Sequence, residues 1–274
     1  MIIMNKLKYI LLLFIIITLP EQIFSNHEIH SNSFTPPGYR VKTIVIDAGH
    51  GGHDGSTRGK FSREKDVALE ISLKLGKAIE KEMKDVKVIY TRESDVFVKL
   101  YERIAVANDN KADLFISVHC NSMPITKRGQ NTGVRGTETF VSGFHRMGQQ
   151  DVAVRENASL LLEENYKENY QGFDPNDPES YIIFSLMKNQ YRDQSVRLAT
   201  YIQEEFATVG RVDRGVKEQG LAVLATAGMP AVLTEIGFIS NPEEEKYMNS
   251  SSGQAEIVEN LLNAIKKYKT QLEK

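Results

Sequence analysis

The chain has 274 residues, of which 41% are hydrophobic and 26% are charged. This composition is typical of an ordinary globular protein and excludes a disordered or fibrous one. The formal net charge of −2 provides no broad basic field, so we do not expect a nucleic acid partner. A chain of this length favours one large domain, or a domain with a sizeable insertion.

The N-terminus has the order of a secretory signal: a basic start, a short apolar core and a polar exit. Lys6 and Lys8 precede an apolar run at 9–19, which is shorter than the ~20 residues that a membrane-spanning helix needs. We therefore predict a signal peptide over residues 1–25, an exported and most simply periplasmic protein, and no stable membrane span after cleavage. An uncleaved anchor is the alternative. Residues 26–40 are polar with a Pro-Pro break, which predicts a linker.

Short apolar runs and longer amphipathic runs alternate over residues 41–272, which we predict to be one folded domain. The short runs are rich in β-branched residues and bounded by turn residues, which predicts strands buried on both faces. In chain order these strands are 43–47, 86–91, 114–119 and 231–235, with weaker candidates at 137–141 and 221–224.

Apolar positions at helical spacing predict helices between these strands. Four such patterns begin near Val67, Leu100, Tyr191 and Val258, with Ser62 predicted to cap the first helix and Gly210 to end the third. Strands that alternate with long helices predict an α/β fold, with a mostly parallel twisted sheet and helices on both faces. The charged segment 145–184 breaks this alternation and predicts a helical insertion.

Four side chains that bind metals or transfer protons come together at one edge of the predicted sheet. His50, His119 and Glu235 lie at the carboxyl ends of predicted strands, where open α/β sheets bind their ligands. Glu64 begins the helix after the first strand and opens on the same edge. Two histidines and a carboxylate form a catalytic zinc set with one open position, and a second carboxylate can move a proton from water to the leaving amine. The sequence therefore predicts a zinc hydrolase.

Cys120 and His53 lie near these four residues but are not predicted to bind the metal. Cys120 follows His119 in the strand, so it is predicted to face the core. His53 lies in the glycine-rich loop and is predicted to be a solvated residue or a support for a ligand. That loop lacks the spacing of phosphate-binding motifs.

Six stretches of the sequence resemble the zinc amidase family called amidase type 3, the catalytic domain of bacterial cell-division amidases. They are IVIDAGHGGHDGSTRG (44–59), REKDVALEIS (63–72), VIYTRESD (88–95), RIAVAN (103–108), ADLFISVHCNS (112–122) and MPAVLTEIGFISNPEEE (229–245). They run in family order, and the resemblance covers about residues 41–270. Asn121 and Arg92 lie within these stretches and are predicted to support the site.

The resemblance implies roles for the four clustered residues and a substrate. His50, Glu64 and His119 correspond to zinc ligands, and Glu235 corresponds to the catalytic carboxylate. The substrate implied is peptidoglycan, cut at the amide bond between N-acetylmuramic acid and L-alanine during wall remodelling or daughter-cell separation.

The resemblance also implies a regulatory role for the segment 145–184. In some family members a helical insertion at this place covers the zinc site, and one of its glutamates occupies the open position until an activator binds. We therefore predict an autoinhibitory insertion with Glu156, Glu163 or Glu164 as the blocking residue, and a protein activator as a partner.

Two other functions fit parts of the same pattern. A zinc peptidase that cuts within the stem peptide would use the same metal set, and only its products would differ. A non-catalytic wall-binding protein with this fold would be expected to have lost part of the metal set, whereas all four positions are intact here.

Overall fold

The computed structural model describes residues 40–273 except 128, 144–149, 171–173, 175–176, 178 and 181–189. The predicted signal peptide and nearly all of the predicted linker lie outside the described residues. None of the helices within the described part of the chain is long and apolar enough to cross a membrane.

A mixed sheet organises the described part of the chain. The strands are β1 (Thr43–Ala48), β2 (Lys87–Tyr90), β3 (Leu114–Asn121), β4 (Ile125–Thr126), β5 (Gly129–Gln130), β6 (Thr137–Ser142), β7 (Asp213–Gln219) and β8 (Ala231–Phe238). Six of them form one sheet in the order β2-β1-β3-β8-β6-β7, and β4 and β5 form a small hairpin. Strands β2, β1, β3 and β8 run parallel, whereas β6 pairs antiparallel with β8 and parallel with β7.

Helices cover both faces of this sheet, as predicted. They are α1 (Glu64–Glu82), α2 (Leu100–Asp109), α3 (Asp151–Asn157), α4 (Tyr166–Asn169), α5 (Arg192–Thr208), α6 (Ala222–Ala225), α7 (Pro242–Met248) and α8 (Ser251–Leu272). One apolar core joins the sheet to α1, α5 and α8. A second core, on the other face, joins the sheet to α2, α6 and the insertion. The predicted fold class is confirmed.

Two local predictions are wrong. The run 221–224 is not a strand, because Ala222–Ala225 form α6, and a short buried apolar run has no period that separates a strand from a helix. Ser62 does not cap α1: the helix begins at Glu64, and the Ser62 hydroxyl donates to Glu245 instead. Gly210 does follow the end of α5, with φ of 78°.

A buried ion pair fixes the end of β1 where the loop toward His50 begins. Arg103 of α2 donates to Asp47 at 2.8 Å, and Arg103 is 1% exposed and Asp47 fully buried. The same guanidinium donates to the backbone oxygen of His50 at 2.7 Å. Burial raises the pKa of Asp47, but the charge of Arg103 and hydroxyl donors outweigh it and hold the pKa below its usual value.

We expect Arg103→Ala to lower the free energy of unfolding by about 3–5 kcal/mol, because the Asp47 carboxylate would stay buried without its counter-charge. Urea denaturation of both proteins measures this difference. Arg192→Ala is the matched control, since Arg192 pairs with Glu218 while 49% exposed, and we expect it to cost about 0–1 kcal/mol. Equal effects of the two substitutions would contradict the prediction.

Candidate metal centre

Four buried side chains direct their donor atoms to one point at the carboxyl edge of the parallel strands. They are His50, Glu64, His119 and Glu156, and one donor atom from each lies within 4.8 Å of the others. Three of these residues were predicted from the sequence to lie together. The fourth, Glu156, comes from helix α3 of the insertion.

The loop after β1 brings the two histidine rings together. His50 has a left-handed backbone with φ of 57°, so the chain turns sharply at the end of the strand. Gly49 is required for the close approach, because a Cβ atom there would lie 2.4 Å from Nε2 of His119. The two rings are 4.9 Å apart and meet edge to face.

Hydrogen bonds orient the donor atom of His50. Its Nδ1 lies 2.9 Å from Oδ2 of Asp54, which also accepts from the Ser159 hydroxyl at 2.7 Å. With the proton on Nδ1, the lone pair of Nε2 faces the cluster. A carboxylate behind a ligating histidine is the usual partner in protein metal sites.

Glu64 is placed by the first turn of α1 and is fully buried. Its Oε2 accepts from the Thr57 hydroxyl at 2.7 Å, while Oε1 accepts from the backbone nitrogen of Cys120 at 2.9 Å. Oε1 also lies 3.1 Å from Nδ1 of His119. One carboxylate oxygen is therefore held on the protein side, and the other lies in the cluster.

The donor atoms are spaced closely enough to be ligands of one metal ion. Oε2 of Glu156 lies 3.0 Å from Nε2 of His50 and 3.1 Å from Nδ1 of His119, and Oε1 of Glu64 lies 3.4 Å from the same His50 nitrogen. Ligands about 2.0–2.2 Å from zinc would be about 3.3–3.6 Å from one another. His50 Nε2 and Glu156 Oε2 are buried, and their close polar neighbours among the described residues belong to this cluster. With the proton of His50 on Nδ1, both atoms are acceptors that face each other, and a cation between them would offset the cost of burying them.

The electrostatics of the cluster favour a cation. Burial lowers the pKa of His119, but the carboxylates of Glu156 and Glu64 outweigh it and raise the pKa to about 9. The pKa of His50 is likewise raised well above its usual value by carboxylates that outweigh the effect of burial. These carboxylates stabilise positive charge at this point, and a divalent ion supplies such charge without protonating the histidines.

Glu235 lies beside the cluster on β8, directly opposite His119 in the register of β3 and β8. It is fully buried, and its Oε1 accepts from Arg155 at 2.8 Å. Its Oε2 is buried and has no hydrogen-bond partner among the described residues. Burial raises the pKa of Glu235 well above its usual value, and nearby carboxylates add to this effect against the charge of Arg155.

The three glutamates predicted as blocking residues lie in different places. Glu156 is 4% exposed and reaches the cluster, and its Oε1 accepts from Arg155 at 2.7 Å. Glu163 instead accepts from the backbone nitrogen of Leu100 at 2.8 Å, at the start of α2. Glu164 is exposed.

The predicted supporting residues lie next to the cluster. Arg92 is 3% exposed and donates to the backbone oxygens of Ala48 and Gly49 at 2.9 and 2.7 Å, so it braces the loop before His50. Asn121 accepts from Arg155 at 2.9 Å. Neither belongs to the set of four donors.

Cys120 and His53 lie where the sequence predicts them, in the core and in a solvated loop. Cys120 is fully buried in the core. His53 is exposed and contacts the ring of Phe97.

Three residues that shape the site were not predicted. Asp54 holds His50, Arg155 bridges Glu156 to the neighbouring strands, and Glu138 holds Asn121 from β6. The spacing of Asp54, four residues after His50, is the only one of these signals visible in the sequence. Arg155 and Glu138 become partners only through tertiary packing.

The fold and the site together define the class of protein: an α/β protein whose sheet edge carries a buried histidine and carboxylate cluster suited to a metal ion. The family model for N-acetylmuramoyl-L-alanine amidases, Amidase_3, matches residues 44–267. The chain belongs to this amidase family, and the predicted family is confirmed.

Relatives of known sequence agree with this assignment. The N-acetylmuramoyl-L-alanine amidase AmiC of Escherichia coli O6:H1 is 33% identical over 231 residues, which are 84% of this chain and 53% of AmiC. The chain thus spans about half the length of AmiC. YqiI of Bacillus subtilis, an uncharacterised protein, is 29% identical over 228 residues, which are 83% of this chain and 84% of YqiI.

Solved structures share the fold. An N-acetylmuramoyl-L-alanine amidase from Clostridium difficile 630 is 27% identical with a TM-score of 0.60, over 84% of this chain and 97% of that one. The catalytic domain of CwlV, an amidase from Bacillus (Paenibacillus) polymyxa var. colistinus, is 25% identical with a TM-score of 0.57, over 83% of this chain and 97% of that one.

Proposed function

We propose that this chain hydrolyses the amide bond between N-acetylmuramic acid and L-alanine in peptidoglycan, with a zinc ion held by His50, Glu64 and His119. The observation that carries the proposal is the convergence of these three buried donors beside the buried carboxylate of Glu235. Three protein ligands with an adjacent carboxylate form the usual arrangement of a catalytic zinc site.

Glu235 is the general base in this proposal. Zinc would supply polarisation of the scissile carbonyl and activation of the attacking water. Oε2 of Glu235, which has no partner among the described residues, takes one proton from that water as its oxygen attacks the carbonyl carbon. The same carboxyl then gives the proton to the amine nitrogen as the carbon–nitrogen bond breaks. The products are a free lactyl carboxylate and a stem peptide that begins at L-alanine.

The arrangement of helix α3 corresponds to a resting, inhibited enzyme. Glu156 occupies the position that water and substrate need, and Arg155 holds Oε1 of Glu235. Activity then requires that residues 145–184, the proposed regulatory insertion, move away. A protein activator that binds this insertion is the partner we propose, and export to the periplasm by the N-terminal signal would bring the enzyme to its substrate.

A digest of purified peptidoglycan tests the proposed function. The full mature chain and its Glu156→Ala variant are incubated with the polymer, with and without a zinc chelator, and products are read by mass spectrometry. We expect stem peptides that begin at L-alanine, produced faster by the variant and lost on chelation. Fragments cut within the stem peptide would identify a zinc peptidase instead. If neither protein releases any product while zinc is bound, the proposed hydrolytic activity is wrong.

Asp54 provides a separate test of the metal site. We expect Asp54→Asn to weaken zinc binding about 10- to 100-fold, because the amide holds the tautomer of His50 less firmly than the carboxylate does. Competition with a chromophoric zinc chelator measures the dissociation constant without reference to activity. Asp109→Asn, at the exposed C-terminal end of α2, is the control, and an equal affinity in all three proteins would contradict the proposed role of His50.

A further inference from the structure

Three acidic or ligating side chains form a row across neighbouring strands. His119 on β3 is in register with Glu235 on β8, and Glu235 is in register with Glu138 on β6. Residues in register on adjacent strands point to the same face of a sheet. The row therefore leads from the metal cluster, across the proposed general base, to Glu138.

Glu138 is only 2% exposed, and its carboxyl group is paired with two cationic side chains. Its Oε2 accepts from Lys217 and, at 3.3 Å, from Arg214, both on the edge strand β7. Like charges directly opposite each other destabilise a sheet, so two neighbouring carboxylates need separate counter-charges. Arg214 and Lys217 supply them for Glu138, and Arg155 supplies one for Glu235.

The other oxygen of Glu138 determines which way the amide of Asn121 faces. Oε1 accepts a hydrogen bond from Nδ2 of Asn121. A carboxylate oxygen accepts, so this contact selects the NH₂ group of the amide and turns the carbonyl oxygen away. That oxygen, Oδ1, accepts from Arg155 at 2.9 Å and from the backbone nitrogen of Ser122 at 2.7 Å.

Asn121, Glu138 and Arg155 also line a cavity of about 690 Å³ next to the metal cluster. Helix α3 contacts the Asn121 amide through Arg155, and Asp151 and Val154 of the same helix line this cavity. When Arg155 leaves with the insertion, Oδ1 loses a cationic donor, while Glu138 continues to hold the amide in the same orientation. The site then presents an acceptor, fixed in direction, beside Glu235.

We infer that Glu138 is a positioning residue that keeps Oδ1 of Asn121 directed at the substrate, where it accepts a peptide N–H of the stem peptide in place of Arg155. This inference rests on the proposed function and adds a specific contact to it. The same acceptor thus serves the insertion at rest and the substrate during turnover, so the two compete for it. Arg214 and Lys217 contribute by holding the Glu138 carboxyl group in place.

An exchange of the two side chains tests the inference. Glu138→Gln places an amide next to Asn121 and allows the pair to turn, whereas Asn121→Asp sets two carboxylates against each other. The double variant Asn121→Asp/Glu138→Gln restores one donor and one acceptor in reversed positions, with an oxygen again directed at the substrate. All are made in the full-length Glu156→Ala chain, with Glu218→Gln on β7 as the control, since Glu218 pairs with Arg192 outside the site.

Two readouts are measured with N-acetylmuramoyl-L-alanyl-D-isoglutamine. Steady-state kinetics give kcat and KM. Calorimetry gives the dissociation constant in the same variants with Glu235→Gln also introduced, because this substitution prevents turnover. We expect each single variant to weaken binding and lower kcat/KM by about 10- to 100-fold with zinc content unchanged. In Glu138→Gln the Asn121 amide can turn its NH₂ group toward the substrate N–H. In Asn121→Asp repulsion from Glu138 moves the acceptor oxygen away from its position. We expect the double variant to recover most of both losses.

The outcomes separate the inference from the proposed function. If Glu138→Gln binds the probe as the parent does, or if the double variant is no better than the weaker single variant, Glu138 does not position Asn121. If the Glu156→Ala parent binds the probe but releases no peptide, the proposed function fails, and the binding series still decides the inference.

Discussion

Replacement of Glu235 with glutamine is expected to lower kcat by about 10²–10⁴-fold, the usual contribution of a general acid–base group. The amide has nearly the same size and can still accept a hydrogen bond from Arg155, but it cannot take a proton from water. Because Glu235 is not among the four clustered donors, we expect zinc binding to be retained. Loss of turnover with zinc bound separates a catalytic role from a structural one.

The measurement compares the rate of stem peptide release with zinc content, determined by atomic emission, in the Glu156→Ala chain. The exposed Glu243→Gln variant on α7 is the matched control and should match the parent. If Glu235→Gln loses zinc and activity together, Glu235 supports the metal site instead of acting as the base. If it keeps full activity, another group moves the proton.

Much of the fold could be predicted because its central strands are buried on both faces. The sequences of β1, β3 and β8 are continuous apolar runs rich in β-branched residues. Such runs are typical of parallel strands buried on both faces. The edge strand β7 was not predicted, since Asp213–Gln219 is mostly charged and polar. An edge strand is exposed and needs no apolar pattern, and charges protect it from pairing with other chains.

The predicted site residues came together because each lies at the end of a strand or the start of a helix on one edge of the sheet. The blocking glutamate could not be chosen in the same way. Glu156 and Glu163 are seven residues apart and would share a face of one continuous helix. In the structure α3 ends at Asn157 and a 3₁₀ helix follows over Ala158–Leu162, which turns Glu163 away toward α2.

Glu138 shows a further limit of the sequence. In the stretch TETFVS it has the position of an ordinary polar residue in a half-buried strand. Its importance depends on β6 lying antiparallel to β8, which sets it opposite Glu235, and no local pattern encodes that pairing.

Replacement of Glu156 with alanine is expected to activate the enzyme roughly 10- to 100-fold. In the resting arrangement Glu156 takes the fourth donor position, so only the fraction of molecules with α3 displaced can bind substrate. A change that raises this fraction raises the apparent affinity and rate in proportion. The three remaining ligands suffice for a catalytic zinc site, so zinc should stay bound.

Initial rates of stem peptide release from peptidoglycan, without any added partner, measure the effect. Glu164→Ala is the matched control, because Glu164 is exposed on the same insertion, and it should leave the rate unchanged. An unchanged or lower rate for Glu156→Ala with zinc bound would show that the insertion does not inhibit through this residue.

Arg155→Ala then distinguishes the two contacts of α3. Its removal frees Glu235 and Asn121, yet Glu156 still reaches the histidines through Oε2. We therefore expect a smaller activation than with Glu156→Ala. If instead the two variants are equally active, the ion pair with Glu235, not the fourth donor position, holds the enzyme at rest. An activator would then need only to draw Arg155 away from the sheet, without displacing a ligand from the metal.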